Sequence, residues 1–155
     1  MSITVEQFGQ ECHDILKADP GRDGVEKVRL HLAETLKDQE FVEKYLGAHE
    51  DSNRKVIYED PELKFCVLAH VQKGEAKAPP HDHGETWAIY GVGKGMITMN
   101  VWKKVAEPAG GNPGKAERIR AFDQNPGEVS AWHVGQLHSP SRTAEARLIR
   151  MEGFN

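Results

Sequence analysis

From Asp51 onward the chain alternates short runs rich in Val, Ile, Phe, Tyr and Trp with clusters of turn-forming residues. The runs cover 55–58, 65–71, 87–92, 96–105, 117–122, 129–134 and 147–151. Between them stand Asp60-Pro61, Lys73-Gly74, Gly93-Lys94-Gly95, the Pro/Gly-rich stretch 108–114 and Asn125-Pro126-Gly127. Pro lacks the N–H a ladder needs and Gly readily takes turn conformations, so each cluster ends a strand. Many short strands with regular turn signals predict a small antiparallel sandwich or barrel.

The first fifty residues follow a different period. Thr4 and Gln7 fit a capping box, and Val5, Phe8, Cys12, Ile15 and Leu16 share one helical face. Asp19-Pro20-Gly21 stops that helix. A second helix is expected from about Asp23, with Val25, Val28, Leu32 and Leu36 as its stripe. A shorter third starts near Asp38, carries Phe41, Val42, Tyr45 and Leu46, and ends at Gly47. The expected organisation is one domain over 1–155, a helical segment (1–50) packed on a β-barrel (51–155).

Charge narrows the partners. Lys plus Arg (20) against Asp plus Glu (24) gives −4 with no basic block, which argues against nucleic acid and against an anionic membrane surface. The longest clean apolar stretch, 65–69, falls far short of the roughly 20 residues of a membrane span. No basic segment followed by an apolar core marks a secretory signal. Cys12 and Cys66 lack metal-type spacing, which suits a reducing compartment. A cytoplasmic protein acting on a small molecule is the expectation. The compositional hint of chemistry is eight histidines.

Pro79-Pro80-His81-Asp82-His83-Gly84 is the most informative segment. Residues two apart on a strand face the same way, so His81 and His83 point together and Asp82 points opposite. Two imidazoles hold a metal ion poorly, and His138, reached through Gly135-Gln136-Leu137, is the candidate third ligand. A metal-bound imidazole normally donates its other ring N–H to an acceptor, for which backbone carbonyls or Glu85 are the candidates. His133 lacks the Gly-x-x lead. His13, His31 and His49 are expected to be solvated, and His70 is expected to be a satisfied barrel histidine.

These motifs resemble the cupin superfamily, double-stranded β-helix barrels with two histidine-bearing motifs. The first runs from Gly74 through His81-Asp82-His83 to Gly91 and Gly95, the second from Pro126-Gly127-Glu128 to His138. Cupins commonly carry a glutamate four or five residues after the second histidine, where this chain has Trp87 and Ala88. Loss of that carboxylate is similar to the thiol dioxygenase branch (cysteine dioxygenase and 3-mercaptopropionate dioxygenase), in which three histidines hold iron. The resemblance implies a mainly β cupin barrel with a helical N-terminal segment, and a dioxygenase using Fe(2+) and O2. Three histidines also make a catalytic zinc site, and zinc or nickel stay open. Cupins often pair through strand edges, so a homodimer is one arrangement the resemblance implies.

By the same resemblance, Arg54 ahead of the first strand binds a substrate carboxylate, for which a guanidinium offers a bidentate fork; a surface arginine is the alternative. Trp87 is placed with it at the substrate, while Tyr90, Trp102 and Trp132 line or cap the barrel. The chain departs from the branch on its last strand. Where thiol dioxygenases carry Ser-x-His-x-Tyr it has Leu148, Arg150 and Glu152, and the cross-linking cysteine of animal members would fall at Ala88. Tyr90, Arg150 and Glu152 are therefore the catalytic candidates. A one-residue slip would instead turn Ile149 and Met151 inward. Two functions follow as expectations. One is a mononuclear iron dioxygenase for a small anionic substrate, with a sulfur-containing acid as the first candidate. The other is a non-oxidative metal-binding cupin acting as isomerase, hydrolase or small-molecule sensor.

Overall fold

The computed structural model describes residues 2–82, 84, 86–107, 109–111 and 114–154. Three helices come first: α1 (Val5–Ala18), α2 (Arg22–Thr35) and α3 (Gln39–Leu46). Both halves of the α1 capping box form, with Gln7 N donating to Thr4 Oγ1 at 3.1 Å and Thr4 N to Gln7 Oε1 at 2.8 Å. No helix among the described residues is long and apolar enough to cross a membrane.

The strands are β1 (Lys55–Glu59), β2 (Cys66–Gln72), β3 (Ala76–Lys77), β4 (Ala88–Lys94), β5 (Ile97–Ala106), β6 (Lys115–Gln124), β7 (Val129–Trp132), β8 (His138–Arg142) and β9 (Ala146–Glu152). They form two antiparallel sheets, ordered β1-β2-β9-β4-β7 and β3-β8-β5-β6. β1 with β2 and β5 with β6 pair directly, and every other step along the chain crosses from one sheet to the other, which is how a double-stranded β-helix winds. The sequence runs anticipate seven of the nine described strands; β3 is two residues long and too short to give a period, and β8, His-Ser-Pro-Ser-Arg, has no apolar run.

The central strands of the first sheet, β2, β9 and β4, are covered on both faces. Val67, Ala69, Ile89, Ile149 and Met151 pack with Phe8, Leu32, Phe41 and Leu46 of the helices. Their neighbours one step along, Ala88, Tyr90 and Leu148, join Ile97, Met99 and Trp132 between the sheets. This settles the register of β9: Leu148, Arg150 and Glu152 stand on the barrel side, and Ile149 and Met151 meet the helices instead of turning inward.

Gly91 makes this layering possible. A Cβ there would lie 2.7 Å from Leu36 Cδ1 and 2.9 Å from Leu32 Cδ2, so α2 sits directly on the β4 backbone. At the far end, Arg147 reaches the carbonyls of Gly47 at 2.7 Å and Glu50 at 2.9 Å, closing the C-terminal end of α3 onto β9. His13 is not solvated as expected. It bridges to the buried Asp60 carboxylate at 2.9 Å and ties α1 to the β1–β2 connection. Tyr58 OH and the Leu63 N–H donate to the same carboxylate, at 2.9 and 2.8 Å.

Candidate metal centre in the barrel

His138 opens β8 and is fully buried, while His81 lies opposite it in an isolated bridge. Reciprocal backbone bonds, His81 N to His138 O at 3.0 Å and His138 N to His81 O at 2.9 Å, fix the two Cα positions against each other. Both rings are then oriented by main-chain acceptors. His81 Nδ1 lies 3.0 Å from Pro79 O, and His138 Nδ1 lies 2.9 Å from Gln136 O. A carbonyl oxygen can only accept, so each Nδ1 carries a hydrogen, and Nε2 is the nitrogen left to act as a ligand.

The two Nε2 atoms converge on one point. Tyr90 OH sits 3.4 Å from His81 Nε2 and 3.2 Å from His138 Nε2. The ring centroids of the histidines are 4.7 Å apart. Trp132 stacks on His138 at 4.5 Å with 22° between planes, and Phe122 stacks on Trp132 in turn. These contacts hold the His138 plane from one side while the Gln136 carbonyl holds its edge. Acceptors that hold the far nitrogen of the ring in this way, fixing its tautomer and orientation, accompany metal-binding imidazoles. His83 and Glu85 lie outside the described residues. The acceptor role anticipated for backbone carbonyls falls to Pro79 and Gln136.

A polar chain leads away from this point along the barrel side of the first sheet. Arg150 stands between Leu68 and Tyr90 in register, and its guanidinium lies 4.6 Å over the Tyr90 ring. Arg150 Nη2 donates to Glu152 at 3.1 Å, and Arg54 Nη2 reaches the other Glu152 oxygen at 3.5 Å. The two arginines differ in setting, since the Arg54 side chain is 44% exposed and that of Arg150 is 15% exposed. Cys66 pairs with Glu152 across β2 and β9. Burial, helped by that carboxylate, pushes its thiol up to about 11, so it stays protonated at neutral pH. Burial also raises the Tyr90 phenol, against the opposing field of Arg150.

His70 continues the same face of β2. Burial first, then the Arg150 and Arg54 charges, push it down from 6.5 to about 3, so the ring is neutral. Among the described residues its Nε2 has no hydrogen-bond partner, nor has Arg150 Nε. The barrel position of His70 agrees with the sequence reading, but its satisfaction does not. The signal was present in the run 65–71, where His70 is the one polar residue in a strand buried on both faces.

The other candidates separate from the site. Trp87 is not at the imidazoles. It joins the helix-side cluster and sits beside Leu16, Pro20 and Val25, because it precedes the inward-facing Ala88 by one residue. Trp102 donates from Nε1 to Ser139 Oγ at 2.8 Å, on the face of β8 opposite to His138, so it does not line the interior. His133 bonds Glu26 of α2 at 3.1 Å and takes no part. Tyr90, Arg150 and Glu152 do share the barrel interior with the histidines.

No family model and no curated protein matches the sequence. Solved structures do resemble the fold. A cupin-2 domain protein from Shewanella frigidimarina is 16% identical with a TM-score of 0.51, over 72% of this chain and 89% of that one. A Bacillus halodurans protein is 8% identical with a TM-score of 0.52, over 78% and 76%. Hydroquinone 1,2-dioxygenase crystallised with Cd2+ and 4-hydroxybenzonitrile is 12% identical with a TM-score of 0.51, over 68% and 66%. At these identities the likeness is one of architecture.

Proposed function

We propose that this chain, a cupin-fold barrel, is a mononuclear metal enzyme of the oxygenase type, with His81, His138 and, from the sequence pattern, His83 as ligands. The observation that carries the reading is the pair of imidazoles pinned through Nδ1 to backbone carbonyls, with both Nε2 atoms aimed at one point. Neutral nitrogen donors fit a borderline divalent ion such as Fe(2+), and also Zn or Ni. A ferrous ion held by three neutral histidines would supply an uncompensated positive charge and a redox centre for dioxygen and an anionic substrate.

The remaining groups have roles that follow from their places. Tyr90 OH touches both Nε2 positions and can hold a proton beside whatever binds there. Trp132 keeps the His138 plane and, with Phe122, shields it from water. Arg150 and Arg54, joined through Glu152, give the interior its positive charge and favour a small anionic substrate; a thiol-bearing acid is the first choice. A second reading draws on Leu148, Arg150 and Glu152 replacing the Ser-x-His-x-Tyr string on the barrel face. With those groups changed, the same site would serve a metal-dependent isomerase, hydrolase or sensor without oxidation.

Metal content after anaerobic loading tests the shared premise. One ferrous ion per chain is expected in the wild type and a loss of at least about tenfold in affinity in His138→Ala, the effect of deleting one of three ligands. Unchanged metal binding in His138→Ala overturns the site. Oxygen uptake driven by small thiol carboxylates then separates the readings: uptake supports the oxygenase, and stoichiometric zinc with ferrous ion rejected supports the second.

A further inference from the structure

Two buried donors in the barrel lack acceptors among the described residues, and both belong to the face that carries Tyr90. The first is Arg150 Nε on β9. The second is His70 Nε2 on β2, whose protonation can be worked out from its neighbours. Gln72 Oε1 accepts from Arg142 Nη1 at 3.0 Å, so the Gln72 amide nitrogen is the atom that turns to His70 Nδ1, at 3.4 Å. An amide nitrogen only donates, so Nδ1 accepts and the neutral ring carries its hydrogen on Nε2. Arg150 pairs with Leu68 and His70 with Leu148, which makes Arg150 and His70 diagonal neighbours on one face.

A buried donor without an acceptor costs free energy in the empty protein, and that cost returns when an acceptor arrives. Two such N–H groups, one from a guanidinium, call for an anion with two acceptor oxygens. Glu152 does not fill the need, because it engages Nη2 and leaves Nε. Arg54, more exposed and set against the far oxygen of Glu152, stands outside the pair.

We propose that Arg150 and His70 form an anion seat inside the barrel that takes the carboxylate of a short acid, with Arg54 serving to hold Glu152 rather than to bind the substrate. The location favours a short acid. The guanidinium lies over one face of the Tyr90 ring, and the hydroxyl of that ring marks where His81 and His138 converge. An acid seated on Arg150 therefore lies beside the Tyr90 ring, and a short acid would extend along that ring toward the imidazoles with a metal-binding atom at its far end. This assignment rests on the metal-site reading above and names its substrate-anchoring residue.

Titration calorimetry with propionate, its uncharged analogue propionamide, and 3-mercaptopropionate tests the seat. Propionate is expected to bind the metal-free protein and propionamide is not; 3-mercaptopropionate is expected to bind more tightly once ferrous ion is loaded without oxygen. Arg150→Met should weaken propionate by about tenfold to a hundredfold, the range of a charge-assisted hydrogen bond. Arg150→Lys, which keeps the charge and loses the Nε–H, should recover only part. His70→Leu should weaken it by a smaller factor, and Arg54→Met by less than about threefold. Equal affinity in folded Arg150→Met, or in Arg150→Lys if the first variant does not fold, overturns the seat. So does a loss confined to Arg54→Met, or a wild type that binds no propionate. Propionate binding through Arg150 in a chain that takes up no metal would overturn the metal-site reading alone. Metal uptake with propionate binding indifferent to Arg150 would overturn the seat alone.

Discussion

The two faces of the five-stranded sheet are built to different rules. Toward the helices, Val67, Ala69, Ile89, Ile149 and Met151 meet aromatic and aliphatic side chains, and all of these sheet residues are fully buried. Toward the barrel, the residues one step along the same strands include Cys66, His70, Tyr90, Arg150 and Glu152. The first face is complete without a ligand. The second, beside Leu68 and Leu148, holds polar atoms that lack partners among the described residues. The helix-side face thus serves packing alone, whereas the barrel-side face combines a buried apolar cluster that includes Ala88, Val92 and Leu148 with the groups that could carry chemistry.

That division predicts the largest effect on the helix side. Phe41 is fully buried and packs against both Phe8 and Tyr45. Phe41→Ala should destabilise the protein by about 3–5 kcal/mol through lost burial and the cavity left behind. Urea unfolding followed by circular dichroism measures it. A cost below about 1 kcal/mol would mean that the helices are dispensable cover and that the comparison of faces is wrong.

How far the sequence disclosed these faces depends on the kind of information each needs. The helix stripes of Val5, Phe8, Cys12 and of Val25, Val28, Leu32 were readable because one buried face repeats at helical spacing. The barrel class was readable because Gly and Pro clusters punctuate the strands. The register of β9 was not: each face of 146–152 mixes apolar and charged residues, Ala146, Leu148, Arg150 and Glu152 against Arg147, Ile149 and Met151, so periodicity cannot say which looks inward. It took β2 and β4 on either side to fix it. Trp87 failed for a related reason, since it sits one residue outside β4 and takes the helix side. The His81–His138 pairing was legible as a motif. The carbonyls of Pro79 and Gln136 that orient the rings were not, because backbone acceptors have no signature in side-chain identity. His13 was misplaced as solvated because its partner Asp60 lies 47 residues away.

A smaller effect tests the barrel face through pH. The folded state holds His70 neutral down to about 3, whereas the unfolded chain protonates it near 6.5. Below 6.5 the unfolded state binds the extra proton, so stability is full above that pH and falls as pH drops toward 3. The slope from one such group is at most about 1.4 kcal/mol per pH unit. Measured on metal-free protein, the stability of His70→Leu relative to wild type should grow steadily between pH 7 and pH 4. A difference that stays flat would mean that His70 is hydrated and the barrel face is not the dry, unsatisfied surface described above.

The smallest effect is expected where binding should change most. Removing one member of a buried ion pair usually destabilises, because the other charge is left without compensation. Arg150→Met departs from that rule, since Glu152 keeps Arg54 at 3.5 Å and the Nε that lacks an acceptor among the described residues is removed along with the charge. The methionine retains much of the stem that lies against Tyr90. A stability change within about 1 kcal/mol is therefore expected in the metal-free protein, of either sign. Such a result beside a large loss of propionate affinity would show a side chain kept for its ligand and not for the fold. A loss of several kcal/mol would place Arg150 with the helix-side core as a structural residue, and the contrast between the two faces would disappear.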